Sequence, residues 1–331
     1  MTHLDAYSRS ISYLRISVTD HCNLRCIYCM PPEGVPLRTH DEILRYEEIE
    51  NVARAAAGLG ICKVRLTGGE PLVRLGIVDL VRKLAHIPGI DDLSMTTNGI
   101  LLPRYAADLA TAGLRRVNIS LDTLRPERFA AITRRGRLTD VLAAIESARQ
   151  AGLRPVKINT VVIRGINDDE AVDLARRAAD AGWNLRFIEW MPVGGVALAG
   201  GDWQEQVVTA AEIRRQIEVA LGPLEPATLD IGGGPARYYR LPGGRGTIGF
   251  IAPISEHFCG QCNRLRLTAD GQLRPCLLSD YEIDLRAPLR RGADAAQIRA
   301  LLLKGIGSKP LQHRLNEKER PEHRVMSEIG G

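Results

Sequence analysis

The chain has 331 residues, 45% of them hydrophobic and 25% charged, the balance of an ordinary globular protein. Its net charge of +5 is too small over this length to mark a nucleic-acid binder. No run approaches the roughly 18 apolar residues of a membrane span, and residues 1–12 lack the apolar core of a secretory signal. The expectation is a cytoplasmic protein with neither nucleic acid nor membrane among its partners, its seven cysteines serving metal or catalysis rather than disulfides.

Taken in order, short β-forming runs alternate with amphipathic ones. The strand candidates are Leu14–Thr19, Lys63–Thr67, Leu93–Thr97, Arg116–Leu121, Val156–Ile163 and Leu185–Glu189. Helix candidates between them are Tyr46–Ala57, Ile77–Ala85, Arg104–Ala112, Asp140–Ala151 and Asp169–Ala181. Such alternation argues for parallel strands joined by right-handed crossovers. A weak repeat, Ala-Gly followed by Leu or Trp at Gly58, Gly113, Gly152 and Gly182, closes these helices and suits the left-handed position after a helix end. Six units are too few for a closed eight-stranded barrel. They leave an open barrel or a doubly wound sheet.

After Trp190 the pattern changes. Residues 194–201 are glycine-rich and read as a loop, and Thr209–Leu221 reads as a helix. From Gly222 the composition shifts to Gly, Pro and β-formers. Strands are expected at Tyr238–Leu241, Thr247–Ile251 and Leu265–Leu273, the last holding an Asp270-Gly271 turn signal. Gly232-Gly233-Gly234 reads as a flexible turn, Ala295–Lys304 as a helix, and the polar stretch from Ser308 as irregular. The division is a barrel over 1–221 and a mostly β extension over 222–331.

Parallel strands are normally apolar on both faces. Here Arg15, Ser17 and Thr19 alternate with Leu14, Ile16 and Val18; Lys63, Arg65 and Thr67 with Val64 and Leu66; Asn118, Ser120 and Asp122 with Val117, Ile119 and Leu121; Lys157 and Asn159 with Val156 and Ile158. Residues two apart share a face, so one face of the sheet is polar and lines a lumen. Arg15, Lys63, Arg65, Lys157 and Arg186 bring positive charge to it. Buried charges need partners, and a polyanion such as a triphosphate fits them. The chain has neither a Gly-x4-Gly-Lys-Ser/Thr nor a convincing Gly-x-Gly-x-x-Gly motif, so its nucleotide is not bound as in an ordinary ATPase or dehydrogenase.

The cysteines divide as Cys22, Cys26 and Cys29; Cys62 alone; and Cys259, Cys262 and Cys276. Cys62 reads as a small buried hydrophobe. Each set of three can hold three irons of a 4Fe–4S cube and leave the fourth open. The competing reading is a closed zinc site, completed by His21 in the first set and His257 in the second.

Cys22-x3-Cys26-x-Tyr28-Cys29 resembles the signature of the radical S-adenosylmethionine superfamily, and Gly68-Gly69-Glu70-Pro71 resembles its second motif, where backbone groups hold the amino end of S-adenosylmethionine. With Cys259-x2-Cys262-Asn-Arg264-Leu265-Arg266, Cys276 and the terminal Gly330-Gly331, the chain from about Tyr13 onward resembles the GTP 3′,8-cyclase family of molybdenum cofactor biosynthesis. The resemblance implies a partial (β/α)6 TIM-like barrel carrying two 4Fe–4S clusters and S-adenosylmethionine. It implies Cys22, Cys26 and Cys29 on the first cluster and Cys259, Cys262 and Cys276 on the second. Tyr28, Gly69, Thr96, Ser120 and Met191 would surround S-adenosylmethionine. GTP would meet Arg15, Lys63, Arg65, Lys157, Arg186, Arg264, Leu265 and Arg266, with the Gly330-Gly331 tail entering the site. No acid–base pair is implied. Expected partners are GTP, a flavodoxin- or ferredoxin-type electron donor, and a downstream cyclic pyranopterin monophosphate synthase that receives the product, the chain itself being a monomer or homodimer. The alternative is a radical S-adenosylmethionine enzyme whose auxiliary cluster serves a peptide substrate.

Overall fold

The structure, a computed structural model, describes residues 3–330 apart from 37, 195–197, 199–201, 230–233 and 318. In chain order its elements begin β1 (Tyr13–Ser17), α1 (Tyr46–Ala57), β2 (Lys63–Thr67), α2 (Ile77–Ala85), β3 (Asp92–Thr97), α3 (Leu102–Thr111) and β4 (Arg116–Ser120). They continue α4 (Pro126–Thr133), α5 (Leu138–Gln150), β5 (Lys157–Val162), α6 (Ala171–Ala181), β6 (Asn184–Glu189), α7 (Ala210–Leu221), β7 (Glu225–Ala227), β8 (Arg237–Arg240) and β9 (Thr247–Ile251). The last are β10 (Arg264–Leu267), β11 (Gln272–Arg274), β12 (Ile283–Asp284), α8 (Arg286–Arg290), α9 (Ala295–Gly307) and α10 (Met326–Ile329).

One sheet runs β12-β11-β10-β1-β2-β3-β4-β5-β6-β9-β8-β7. The six expected βα units form its middle as a partial (β/α)6 TIM-like barrel. Residues beyond 222 then add one parallel strand at each edge, β9 beside β6 and β10 beside β1. The C-terminal region is therefore wrapped around both sides of the barrel. Leu14, Ile16, Val64, Leu66, Val117, Ile119, Ile158 and Leu185 point outward and are fully buried under the helices. Burying each such side chain is worth about 1.5–3 kcal/mol. The helices present matching apolar stripes, among them Ile49, Val52 and Ala56 of α1 and Leu80, Val81 and Leu84 of α2. Capping boxes start α7 at Thr209 and Glu212 and α9 at Asp294 and Gln297.

Several expectations need correction. Gly113, Gly152 and Gly182 take the left-handed conformation after their helices, but Gly58 does not. Its φ is −62°, and Gly60, at φ 82°, makes the turn instead. α4 was not foreseen. The strand expected over Leu265–Leu273 is two antiparallel strands, β10 and β11, folded at Asp270-Gly271, because Gly271 at φ 82° reverses the chain. Cys62 is half-buried beside the Ser12 carbonyl rather than in the core. The stretch after Ser308 is not irregular throughout. It ends in α10, with Leu315 and Ile329 buried against Val193 and Leu278. Most of the glycine-rich 194–201 loop, Gly232, Gly233 and Gly331 lie outside the described residues.

Candidate functional site

The polar faces of the strands line one large cavity inside the barrel. Its walls include Arg15, Arg65, Thr96, Ser120, Asn159, Arg186 and Met191, with all three cysteines of each triad. The register separates the triads. Cys22, Cys26 and Cys29 follow the C-terminal end of β1. Tyr13 at the other end of β1 pairs with Arg264, two residues past Cys262. β11 runs back along β10 with Arg274 opposite Arg266, which returns Cys276 to the same end. The two triads therefore face each other along a strand whose four residue steps span about 13 Å. Midway, Arg266, Arg15 and Arg65 stand side by side on neighbouring strands.

The first triad lies on one short loop. The Asn98 amide donates to the Cys22 sulfur at 3.8 Å and to Asn23 at 2.8 Å, and the Leu24 N–H lies 3.4 Å from the same sulfur. Burial raises all three thiols, Cys22 to about 11 and Cys29 to about 12, with neighbouring anionic groups adding to it. The Gly68-Gly69 turn packs so closely on this loop that a Cβ at Gly69 would lie 2.3 Å from the His21 carbonyl. Glu70, fully buried, holds the turn by accepting from Leu72 N, Thr97 Oγ1 and Asn98 N at 3.1, 2.8 and 2.7 Å. Its burial lifts its carboxyl to about 7. Tyr28 donates to Asp122 at 2.6 Å, and Asp122 also accepts from Val161 N.

The second triad is assembled from distant segments. Lys309 Nζ donates to the carbonyls of Arg264 and Pro275, both at 2.8 Å, and so ties the start of β10 to the residue before Cys276. Arg9, paired with Asp5 at 2.5 Å, donates to the Cys259 carbonyl at 2.8 Å. Burial raises the Cys262 thiol, but Lys309 and Arg264 beside it outweigh that and bring it down to about 7.

The floor between the triads is cationic. Burial and then the neighbouring arginines hold Arg15 well below its ordinary value, and burial brings Arg65 and Arg266 to about 10. Burial, with Arg186, Arg116 and Arg65 beside it, brings Lys157 to about 7. Tyr13 Oη, Asn118 Oδ1, Asn159 Oδ1, and Arg186 Nε and Nη2 are buried without a hydrogen-bond partner. A polar, anionic ligand would answer both features.

Of the residues singled out from sequence, the cavity gathers the six cysteines, Arg15, Arg65, Gly69, Thr96, Ser120, Tyr28, Arg186, Met191, Arg264 and Arg266. Lys63 stands half-exposed at the strand end, and Lys157 borders an adjoining cavity lined by Tyr238 and Tyr239. Leu265 packs in the apolar core on the opposite face of β10. The Gly330 carbonyl accepts from Arg266 Nη1 at 2.8 Å, and a Cβ on Gly330 would meet Thr67 Oγ1 at 2.3 Å. Sequence reasoning missed Asn98, Arg9, Lys309 and Glu189, a fully buried carboxylate on the cavity wall that accepts from Ala210 N, Ile254 N and Ser255 N. Asn98 and Glu189 each stand at the C-terminal end of a barrel strand, where site residues of such folds gather, so position could have found them. Arg9 and Lys309 carry no local signal.

Among the described residues no three His, Cys, Asp or Glu side chains are grouped to hold a single metal ion. Three thiols apiece, none in a disulfide, suit 4Fe–4S clusters with one open iron.

Residues 16–178 match the Radical SAM superfamily and residues 183–315 match Molybdenum Cofactor Synthesis C. The chain is 56% identical over 328 residues to a GTP 3′,8-cyclase of Pelotomaculum thermopropionicum and 53% identical over 327 residues to one of Moorella thermoacetica, covering 99% of each chain in both cases. Among solved structures it resembles Streptococcus suis SuiB (TM-score 0.61, 15% identity, 89% of this chain and 69% of that one). It also resembles anSMEcpe with bound AdoMet (TM-score 0.56, 16% identity, 95% and 84%). At such identities these two likenesses speak for the fold alone.

Proposed function

The chain belongs to the GTP 3′,8-cyclase family of the radical S-adenosylmethionine superfamily, and on that premise we propose how its own residues share the work. The activity is that of a lyase that converts GTP to (8S)-3′,8-cyclo-7,8-dihydroguanosine 5′-triphosphate, by hydrogen abstraction at C3′ and C3′–C8 bond formation, in the first step of molybdenum cofactor biosynthesis. Two 4Fe–4S clusters and S-adenosylmethionine are its cofactors. When bound, the first cluster and S-adenosylmethionine supply a 5′-deoxyadenosyl radical.

Cys22, Cys26 and Cys29 would hold the first cluster. The Gly69 turn, Thr96, Ser120 and Met191 would surround S-adenosylmethionine, and Tyr28, fixed by Asp122, would place its backbone against the adenine. Cys259, Cys262 and Cys276 would hold the second cluster. The cationic floor takes the triphosphate: Arg15, Arg65 and Arg266 in one row, with Arg264 and Arg186 around them, while Lys157 would reach it from the adjoining cavity and Lys63 from the strand end. Buried arginines crowded together are relieved by an anion, and a charged hydrogen bond of this kind is worth about 1.5–3 kcal/mol. The barrel wall keeps water from the ribose while the protein fixes C3′ near the radical source. Gly330 offers a bare backbone to Arg266 beside the phosphates. A flavodoxin- or ferredoxin-type protein as electron donor, hand-off to cyclic pyranopterin monophosphate synthase, and a cytoplasmic location complete the proposal. Among the described residues no helix is long and apolar enough to cross a membrane.

The observation that carries this reading is the pair of cysteine triads at opposite ends of one cation-lined cavity. Anaerobically purified protein is expected to hold about eight irons per chain, two cubes' worth. With S-adenosylmethionine and a reductant it should turn GTP into the 3′,8-cyclised nucleotide with matching 5′-deoxyadenosine. Zinc in place of iron, or unchanged GTP beside steady 5′-deoxyadenosine release, would overturn it.

A further inference from the structure

The C-terminal segment is held over the cavity by buried charge as well as by apolar packing. Arg324 Nε donates to Glu282 Oε1 at 2.6 Å, and its Nη2 donates to Glu282 Oε2 and Asp270 Oδ2, both at 2.9 Å. Its Nη1 donates to Asp270 Oδ1 at 3.1 Å. The side chain is nine-tenths buried and grips two carboxylates at once. Asp270 stands in the turn between β10 and β11, so its hairpin is flanked by Cys262 and Cys276. Glu282 follows Cys276 and also accepts from Arg274.

A second branch passes through Arg38. Its Nη1 lies 3.4 Å from Asp270, its Nη2 3.4 Å from Glu328, and its Nε 3.8 Å from Asp20. Asp20 precedes Cys22 by two residues, is 1% exposed, and neither of its carboxylate oxygens has a hydrogen-bond partner. The Arg38 guanidinium faces this buried carboxylate as a counter-charge. An unbroken run of alternating charges thus links the first cysteine loop to the hairpin of the second, and each branch ends on the tail, at Arg324 and at Glu328.

Between those anchors the tail touches both halves of the site. Met326 shares the cavity wall with Cys29, and the Gly330 carbonyl meets Arg266. Gly194, three residues past Met191, donates to the Pro321 carbonyl at 3.0 Å, and a Cβ there would come within 2.5 Å of Val325 Cα.

We infer that Arg324 and Arg38, with Asp270 as their shared anchor, are positioning residues that seat the tail so that Gly330 reaches Arg266 only when both cysteine-bearing segments are in place. The inference rests on the proposed reading that Gly330 meets Arg266 beside the bound phosphates, where it would help set GTP for cyclisation. α10 is one turn long and cannot hold itself in place. Fixing it needs contacts to the body of the protein, and buried paired charge is lost sharply when one partner goes.

The test compares the parent, Arg324→Ala, Arg324→Lys and a chain lacking residues 330–331. It reads iron content, hydrogen exchange over residues 319–330, and cyclised product per 5′-deoxyadenosine. Arg324→Ala should keep its iron and its S-adenosylmethionine cleavage. It should lose exchange protection in the tail and form roughly a hundredfold less product per cleavage, the scale set by breaking a buried pair. Arg324→Lys should recover part of both. Unchanged protection and coupling in Arg324→Ala would overturn the inference. Should that variant lose iron, Arg38→Gln and Gly194→Ala decide instead: loss of tail protection in both supports the anchoring, and full protection in both refutes it. A truncated chain that cyclises at full rate while Arg324→Ala still exposes its tail would remove the tail's part in cyclisation and leave the anchoring standing.

Discussion

The two cysteine triads bear the same three thiols and are built in opposite ways. The first is contained in one loop of eight residues, and its supports, Glu70, Asn98 and Asp122, come from the ends of successive barrel strands. Its thiols are buried among neutral and anionic groups, which raise them. The second gathers a turn, the far side of a hairpin, and two cations from near the ends of the chain, Arg9 and Lys309. Lys309 and Arg264 favour the thiolate at Cys262, while burial raises the Cys259 thiol. On the proposed assignment, the cluster that would touch S-adenosylmethionine sits among the ends of the barrel strands. The one that would face an anionic nucleotide sits where positive charge is already collected. Geometry alone does not distinguish the triads; their surroundings do.

The sharpest way to break this comparison is to delete one thiol from each side. Cys26→Ala should abolish 5′-deoxyadenosine formation while the second site keeps its iron. Cys276→Ala should keep S-adenosylmethionine cleavage and lose cyclisation. Iron analysis with product chromatography checks both, and an identical defect in the two variants would mean that the triads act as one site.

A smaller effect is expected at Lys309. Lys309→Met leaves the carbonyls of Arg264 and Pro275 buried without their donor, at about 1–3 kcal/mol for each. Iron should be lost selectively from the second site, and electron paramagnetic resonance should still show the first. Equal loss from both sites would show that the stitching reaches further than the hairpin.

The mildest test is pH. The Lys157 ammonium is held near 7 by burial and by Arg186, Arg116 and Arg65. Phosphate binding raises its pKa, so the contact is fully present below about pH 7 and fades as pH rises through the higher value in the complex. GTP affinity measured by calorimetry should fall across that window by up to about tenfold per pH unit. Lys157→Met should flatten the slope. A slope that survives the substitution assigns it to another group.

Much of the barrel was legible because periodicity is a local property. Alternating polar and apolar residues at Arg15, Arg65 and Asn118 identified a polar face before any strand was placed, since side chains two apart share a side. The first triad was legible for the same reason: three ligands on one loop leave a spacing in the sequence. The second triad's cysteines could be paired with it only through a resemblance. Whether β9 and β10 would close onto the barrel or stand apart could not be read from their composition. That question is decided by which edge is free when the strands meet: β1 offers its outer edge to β10 and β6 offers its own to β9. Backbone groups at a bare edge must find partners.

By itself the sequence determined the order of strands and helices, which face of each is polar, and which residue types stand ready for metal and phosphate, because each of these depends on neighbours a few residues apart. Only the tertiary structure decided that Cys22 and Cys276 look into one cavity from opposite ends, and that Arg9 and Lys309, which no motif marks, tie the second triad together. Contacts between residues 250 or 300 positions apart leave no periodic trace in a single chain. They come into being when strand register and the packing of the tail bring those side chains within hydrogen-bond reach.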